Sequence, residues 1–152
     1  MDSGISVNET APTLQLVSSD TAQQDLGKPE LYINRELSQF AFNLRVLEQA
    51  LDESHPLLER LKFLLIFSSN MDEFFEIRVA GLKKQIEFQR EQPGPDGLGP
   101  RDVLELISQQ VHTAVQRQYD IFNDILLPAL EQENIHILRR QQWTPEQTAW
   151  AR

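Results

Sequence analysis

The segment from Pro56 to about Arg90 constrains this chain more than any other. Leu57, Leu61, Leu64, Met71, Phe75, Leu82 and Ile86 recur at helical spacing along one stripe. Phe63, Phe67, Phe74 and Ile77 form a second stripe beside it. A helix with one apolar stripe lies on a core, whereas one with two adjacent stripes must be covered on more than one side. The spacing therefore predicts a long central helix with neighbours on both flanks. "SSN" at 68–70 interrupts its most apolar part, which implies a kink, a break or a site.

The flanks supply the neighbours. Ahead of the central segment, Leu37, Phe40, Ala41, Leu44, Leu47 and Leu51 mark an amphipathic helix. Asn34 is placed to cap it, and Glu36 lies in its first turn, where negative charge suits the helix dipole. Ser54, His55 and Pro56 break the pattern, with Ser54 or His55 as cap and Pro56 as first residue of the next helix. "QPGPDGLGP" at 92–100 ends the central helix. A third helix begins near Pro100 or Arg101, with Asp102 in its first turn. Its expected buried face is Leu104, Ile107, Val111, Val115, Phe122 and Ile125. Pro128 should kink that helix or begin its end, and Asn134 should stop it. "IHILR" at 135–139 alternates like a short strand. In "TPEQTAWAR", Thr144 and Gln147 have capping-box spacing around Pro145.

The fold class read from these patterns is all-α. It is a three-helix antiparallel bundle with a long central helix over 30–134, followed by the start of a second, α/β or α+β, domain at 135–152. Residues 1–29 are polar and aperiodic, with Asp2, Glu9, Asp20 and Asp25 against Lys28. Such a segment buries too little apolar surface to offset its ordering entropy and reads as a disordered tail.

Charge and composition exclude several functions. The net charge of −9 is the wrong sign for gripping nucleic acid, since phosphate neutralisation requires excess Lys and Arg. The absence of cysteine removes disulfides and thiol chemistry, in keeping with a reducing compartment. The longest apolar run, 63–67, is too short to span a bilayer, and the first residues lack a secretory signal pattern. A soluble, cytoplasmic location is the expectation.

Few residues offer chemistry. His55, His112 and His136 share no metal or triad spacing, and neither a GxxxxGK[ST] nor a GxGxxG phosphate loop occurs. Lys62, Glu73, Glu76 and Lys83 read as a solvated strip. Arg78, beside the apolar stripe, either extends its head to water or pairs with a carboxylate. Asn70 is the sharpest candidate, since a helix running through it projects its amide from the stripe of Phe63 and Phe67. A buried amide left unpaired costs about 1–3 kcal/mol, so it must bond a neighbouring group or meet a ligand. With a donor and an acceptor side by side, it matches the edge of a nucleobase such as adenine.

Two blocks carry a family resemblance: "LYINRELSQFAFNLRVLEQA" (31–50) and "HPLLERLKFLLIFSSNMDEFFEIRVAGLKKQ" (55–85). Together with the later "LLPALEQENIHIL", they resemble the amino-terminal part of bacterial polyphosphate kinase. Gln39 departs from the pattern, where many members carry Trp. The resemblance implies a kinase that reversibly transfers the terminal phosphate of ATP to inorganic polyphosphate, with Mg2+ and a phosphohistidine. ATP or ADP and polyphosphate would be its ligands, and a homo-oligomer, cytoplasmic or peripheral to the membrane, its expected state. The phosphohistidine, metal and polyphosphate residues belong to downstream domains, so none maps onto His55, His112 or His136 and the fragment alone is expected to be inactive. One site residue does carry over: in the "SSNMDEFF" block, Asn70 occupies the position of an ATP-contacting Asn near the adenine. The rival from a different class is a helical protein-interaction module with no catalytic role.

Overall fold

The computed structural model describes residues 26–151. Residues 1–25, most of the expected tail, lie outside the described residues. Pro29–Leu31 forms a 3-10 turn, and Tyr32 donates its hydroxyl to the Leu26 carbonyl at 2.7 Å. Helix α1 (Arg35–Gln49) follows, then α2 over 57–87, α3 over 100–132 and a short α4 (Pro145–Trp150). Helices α2 and α3 each contain one wide π turn, at Phe74–Val79 and Ile121–Leu126.

The ends of the helices follow from their capping chemistry. The Asn34 side-chain oxygen accepts from the Leu37 amide at 3.0 Å, closing the first turn of α1. Its amide donates to Asp96 at 2.6 Å, which ties the α2–α3 connector to the start of α1. At the other end Arg60 donates to the Ala50 carbonyl at 2.9 Å. Helix α2 starts at Leu57, with Pro56 as its cap, so neither Ser54 nor His55 has the expected capping role. Ser54 instead closes a turn on Asp52, whose carboxyl is held below its usual range mainly by the hydrogen bonds from Ser54. At the start of α3, Asp102 accepts from the Gly99 amide at 2.9 Å, and in α4 Thr144 and Gln147 form the anticipated capping box.

Helices α2 and α3 end in the same way. The Asn134 amide bonds the Glu131 carbonyl, and the Ile135 amide bonds Leu130, with Asn134 at φ 60°. This is the Schellman pattern, in which a left-handed residue satisfies the last carbonyls. Helix α2 ends at Glu87, short of Arg90, and closes likewise through Gln89 at φ 55°. Glutamine is poorly suited to that conformation because its Cβ crowds the backbone. Gln89→Gly should therefore raise stability by about 0.5–1 kcal/mol, read as a shift of the urea midpoint.

The three long helices pack in an up-down-up order. Asn34 meets Asp96 at one end, and Glu48 meets Arg117 at 2.9 Å farther along, so α1 and α3 run parallel and α2 opposes both. The wide turn of α3 lies against the first part of α2. The core contains Phe40 and Leu47 of α1, Leu64, Phe67, Met71 and Phe74 of α2, and Val103, Ile107, Val111 and Ala114 of α3. All-α architecture with a long central helix is thus as the periodicity predicts.

Several individual residues differ from expectation, and the π turns explain two of them, Ile77 and Ile125. Past Phe74, a regular helix would return to the core at Ile77 or Arg78. Ile77 is 55% exposed, and the next buried residue is Val79, five positions on. Likewise Ile121 is followed by buried Leu126, while Ile125 is exposed. Backbone bonds from Ala80 to Phe75 and from Leu127 to Phe122 span five residues, the signature of the wide turn. The extra residue keeps the Arg78 guanidinium and the Asp124 carboxylate off the core face, where an unpaired charge is costly. Asp124 is also the residue whose carbonyl the Pro128 ring would strike in a regular helix. The turn widens there, and α3 continues through Pro128 to Gln132.

Phe75, Ala41 and Val115, all expected inside, are exposed. Ala41 yields its place to Asn43, and Val115 to Ala114. No strand forms among the described residues, so "IHILR" is not the strand that its alternation suggested. Alternation alone is insufficient because a strand needs a partner for its backbone groups.

Candidate functional site

Asn70 sits in the regular part of α2, between the buried Phe67 and Met71 and one turn before Phe74. It is half-buried, as is Ser68, while Ser69 is exposed. The helix runs unbroken through all three, so the polar triplet is neither a kink nor a break. The Asn70 amide nitrogen donates to Oδ1 of Asn43 on α1 at 3.1 Å. Asn43 is only 2% exposed, the one fully buried polar residue among those described. Its own amide nitrogen lies 4.0 Å from the Met71 sulfur, a weak acceptor.

Every buried side-chain nitrogen and oxygen among the described residues has a partner. Oδ1 of Asn70 has no hydrogen-bond partner among the described residues and is not fully enclosed. One half of the amide is thus committed to the fold and the other remains free. A primary amide can donate and accept hydrogen bonds but does not act as an acid or a base.

Asn43 is the residue that sequence reasoning missed. It lies three positions after Phe40 and four before Leu47, so the periodicity of α1 contained the signal. Its polarity kept it out of a stripe assembled from apolar residues.

The other candidates are dispersed. His55 contacts Gln49 at 3.1 Å and its ring lies 5.2 Å from that of Phe63. His112 bonds the Ser108 carbonyl at 3.2 Å, and His136 is exposed. The described residues include no group of three His, Cys, Asp or Glu able to hold a metal ion. Arg78 is half-buried and makes no ion pair among the described residues. Glu73, Glu76 and Lys83 are exposed, as a solvated strip should be. A groove of about 750 Å³ lies between the later part of α2 and α3, lined by Phe75, Val79, Ile107, Val111 and Tyr119. It does not include Asn70. No helix among the described residues is long and apolar enough to cross a membrane.

Residues 32–138 match the family model described as the polyphosphate kinase N-terminal domain. A polyphosphate kinase of Pseudomonas putida is 66% identical over 127 residues, covering 84% of this chain and 18% of the relative. One from Pseudomonas aeruginosa is 66% identical over 122 residues, 80% of this chain and 18% of the relative. One from Xylella fastidiosa is 44% identical over 146 residues, 96% of this chain and 21% of the relative. No solved structure matches the chain. The chain spans about a fifth of the length of these curated relatives. The matched region takes in α1, α2 and α3 whole, together with Asn43 and Asn70. The chain therefore belongs to the polyphosphate kinase family and carries that family's amino-terminal domain.

Proposed function

We propose that this chain serves a kinase that reversibly transfers the terminal phosphate of ATP to inorganic polyphosphate, and that Asn70 contacts the adenine. The family match over 32–138 carries the reading, because the curated relatives are polyphosphate kinases. The free acceptor on Asn70 supports the assignment to the base. Holding the base would place the nucleotide for in-line transfer, a contribution of proximity rather than of proton transfer. Magnesium belongs to this reading, but the described residues offer no ligand set for it. Metal, phosphohistidine and polyphosphate binding are assigned to other parts of the kinase, and 135–152 to the beginning of its next domain. These residues alone should then be inactive, and the whole enzyme a homo-oligomer, cytoplasmic or peripheral to the membrane.

In the full-length enzyme, Asn70→Ala should raise the KM for ATP about tenfold, the usual effect of losing one base-edge hydrogen bond, with little change in the KM for polyphosphate. Initial rates with each substrate varied in turn measure both. An unchanged KM for ATP in a folded Asn70→Ala enzyme would remove the nucleotide contact. The groove beside Phe75 and Tyr119 favours a second reading, a helical interaction module without a catalytic role. Under that reading Asn70 only joins α2 to α1, and ATP kinetics should not respond.

A further inference from the structure

We propose that Asn43 is a positioning residue that fixes which edge of Asn70 faces the nucleotide, so that the site prefers a 6-amino purine to a 6-oxo purine. This rests on the reading of Asn70 as a base contact. The two ends of a primary amide are not equivalent: the nitrogen only donates and the oxygen only accepts. Asn43 is enclosed between the Met71 sulfur, 4.0 Å from its nitrogen, and the Asn70 nitrogen, 3.1 Å from its oxygen. A thioether can accept a hydrogen bond weakly but has no proton to give. Turning Asn43 over would set its carbonyl oxygen against that sulfur with no donor, inside the core.

The sulfur therefore selects the orientation of Asn43, and Asn43 selects that of Asn70. With the Asn43 oxygen facing it, Asn70 must present its nitrogen inward. Its oxygen is then left outward, and this atom has no partner among the described residues and is not fully enclosed. An outward acceptor suits the exocyclic amino group at C6 of adenine, which donates. Guanine and hypoxanthine carry a carbonyl oxygen at C6, so the two acceptors would face each other without a proton between them. Discrimination of this kind needs the amide locked. A freely turning Asn70 could offer its nitrogen to the carbonyl and accept either base.

The test uses the full-length enzyme with ATP and inosine triphosphate as alternative substrates, read as the ratio of their kcat/KM values. Wild type should favour ATP by about tenfold or more. Asn43→Leu, close in size but without the amide, should shrink that ratio severalfold, the change residing in KM. Met71→Leu removes only the sulfur and conserves volume, so it should fold. It should move the ratio in the same direction by a smaller amount, and it carries the test if Asn43→Leu does not fold. If the ratio stays at its wild-type value in Met71→Leu and in folded Asn43→Leu while Asn70→Ala still raises the KM for ATP, the positioning role is overturned and the base contact stands. A wild-type enzyme that uses inosine triphosphate as well as ATP overturns it too. If Asn70→Ala leaves ATP kinetics unchanged, the base contact fails, and this inference with it.

Discussion

Replacing Phe74 with alanine should destabilise the bundle by about 3–5 kcal/mol, the usual range for deleting a fully buried aromatic ring. Phe74 is completely buried at the point where α2 passes from its regular part into the wide turn. Its ring lies 6.0 Å from that of Phe40 on α1 and 5.9 Å, edge-on, from that of Phe75. Removing it takes away apolar burial and two ring contacts, and it leaves a cavity where helices α1 and α2 meet. The backbone cannot easily close that cavity, because Phe67 and Met71 on one side and Val79 on the other hold α2 in place. Thermal melting followed by circular dichroism should show a midpoint lower by roughly 10 °C or more. A fall of only a degree or two would mean that the two helices do not meet at this ring.

The second large effect tests the register of the wide turn. Val79→Asp should destabilise the bundle severely, because it places a carboxylate at a core position only 6% exposed. Burying such a charge costs several kcal/mol, comparable to much of a small domain's stability. Ile77→Asp should change stability by no more than about 0.5 kcal/mol, since position 77 faces water. A regular helix through Phe74 would give the opposite ranking, with position 77 or 78 inside and 79 displaced. Urea unfolding of the two variants side by side distinguishes the registers. Equal damage from both would exclude a wide turn at Phe74–Val79.

Charge contributes less to the fold. Glu91 and Arg101 form a two-pronged ion pair at 2.6 and 2.9 Å across the connector. The hydrogen bond from Arg101, followed by its charge, holds the Glu91 carboxyl below its usual range. A depressed carboxyl stabilises the fold above its unfolded value, and that contribution disappears as pH falls through the folded one. Both groups are at the surface, where solvent and salt screen the pair.

Much of the architecture could be read directly from local patterns. The stripes of α1 and α2, the Asn34 cap, the Thr144–Gln147 box and the Asn134 stop each depend on residues within a turn or two. Short-range chemistry fixes such features wherever the helix ends up. The family also showed itself in local blocks, and those blocks pointed to Asn70 as the residue to examine. At Ile77 and Ile125 periodicity failed because the chain changed its own period. Arg78, Asp124 and Pro128 would each have been misplaced in a regular helix, and one added residue per wide turn resolves all three. That solution has no local spelling, because its gain comes from putting Val79 and Leu126 against other helices.

The sequence by itself determined that the chain is helical, where its caps and breaks fall, that its central helix is covered on more than one side, and which family it resembles. Only the tertiary structure decided that the polar triplet at 68–70 leaves α2 unbroken and that Asn70 is held by Asn43. That partner lies on another helix, 27 positions away in the chain. The choice of which end of the Asn70 amide faces outward depends on a buried sulfur and a buried amide brought together by packing, and no one-dimensional pattern encodes that meeting.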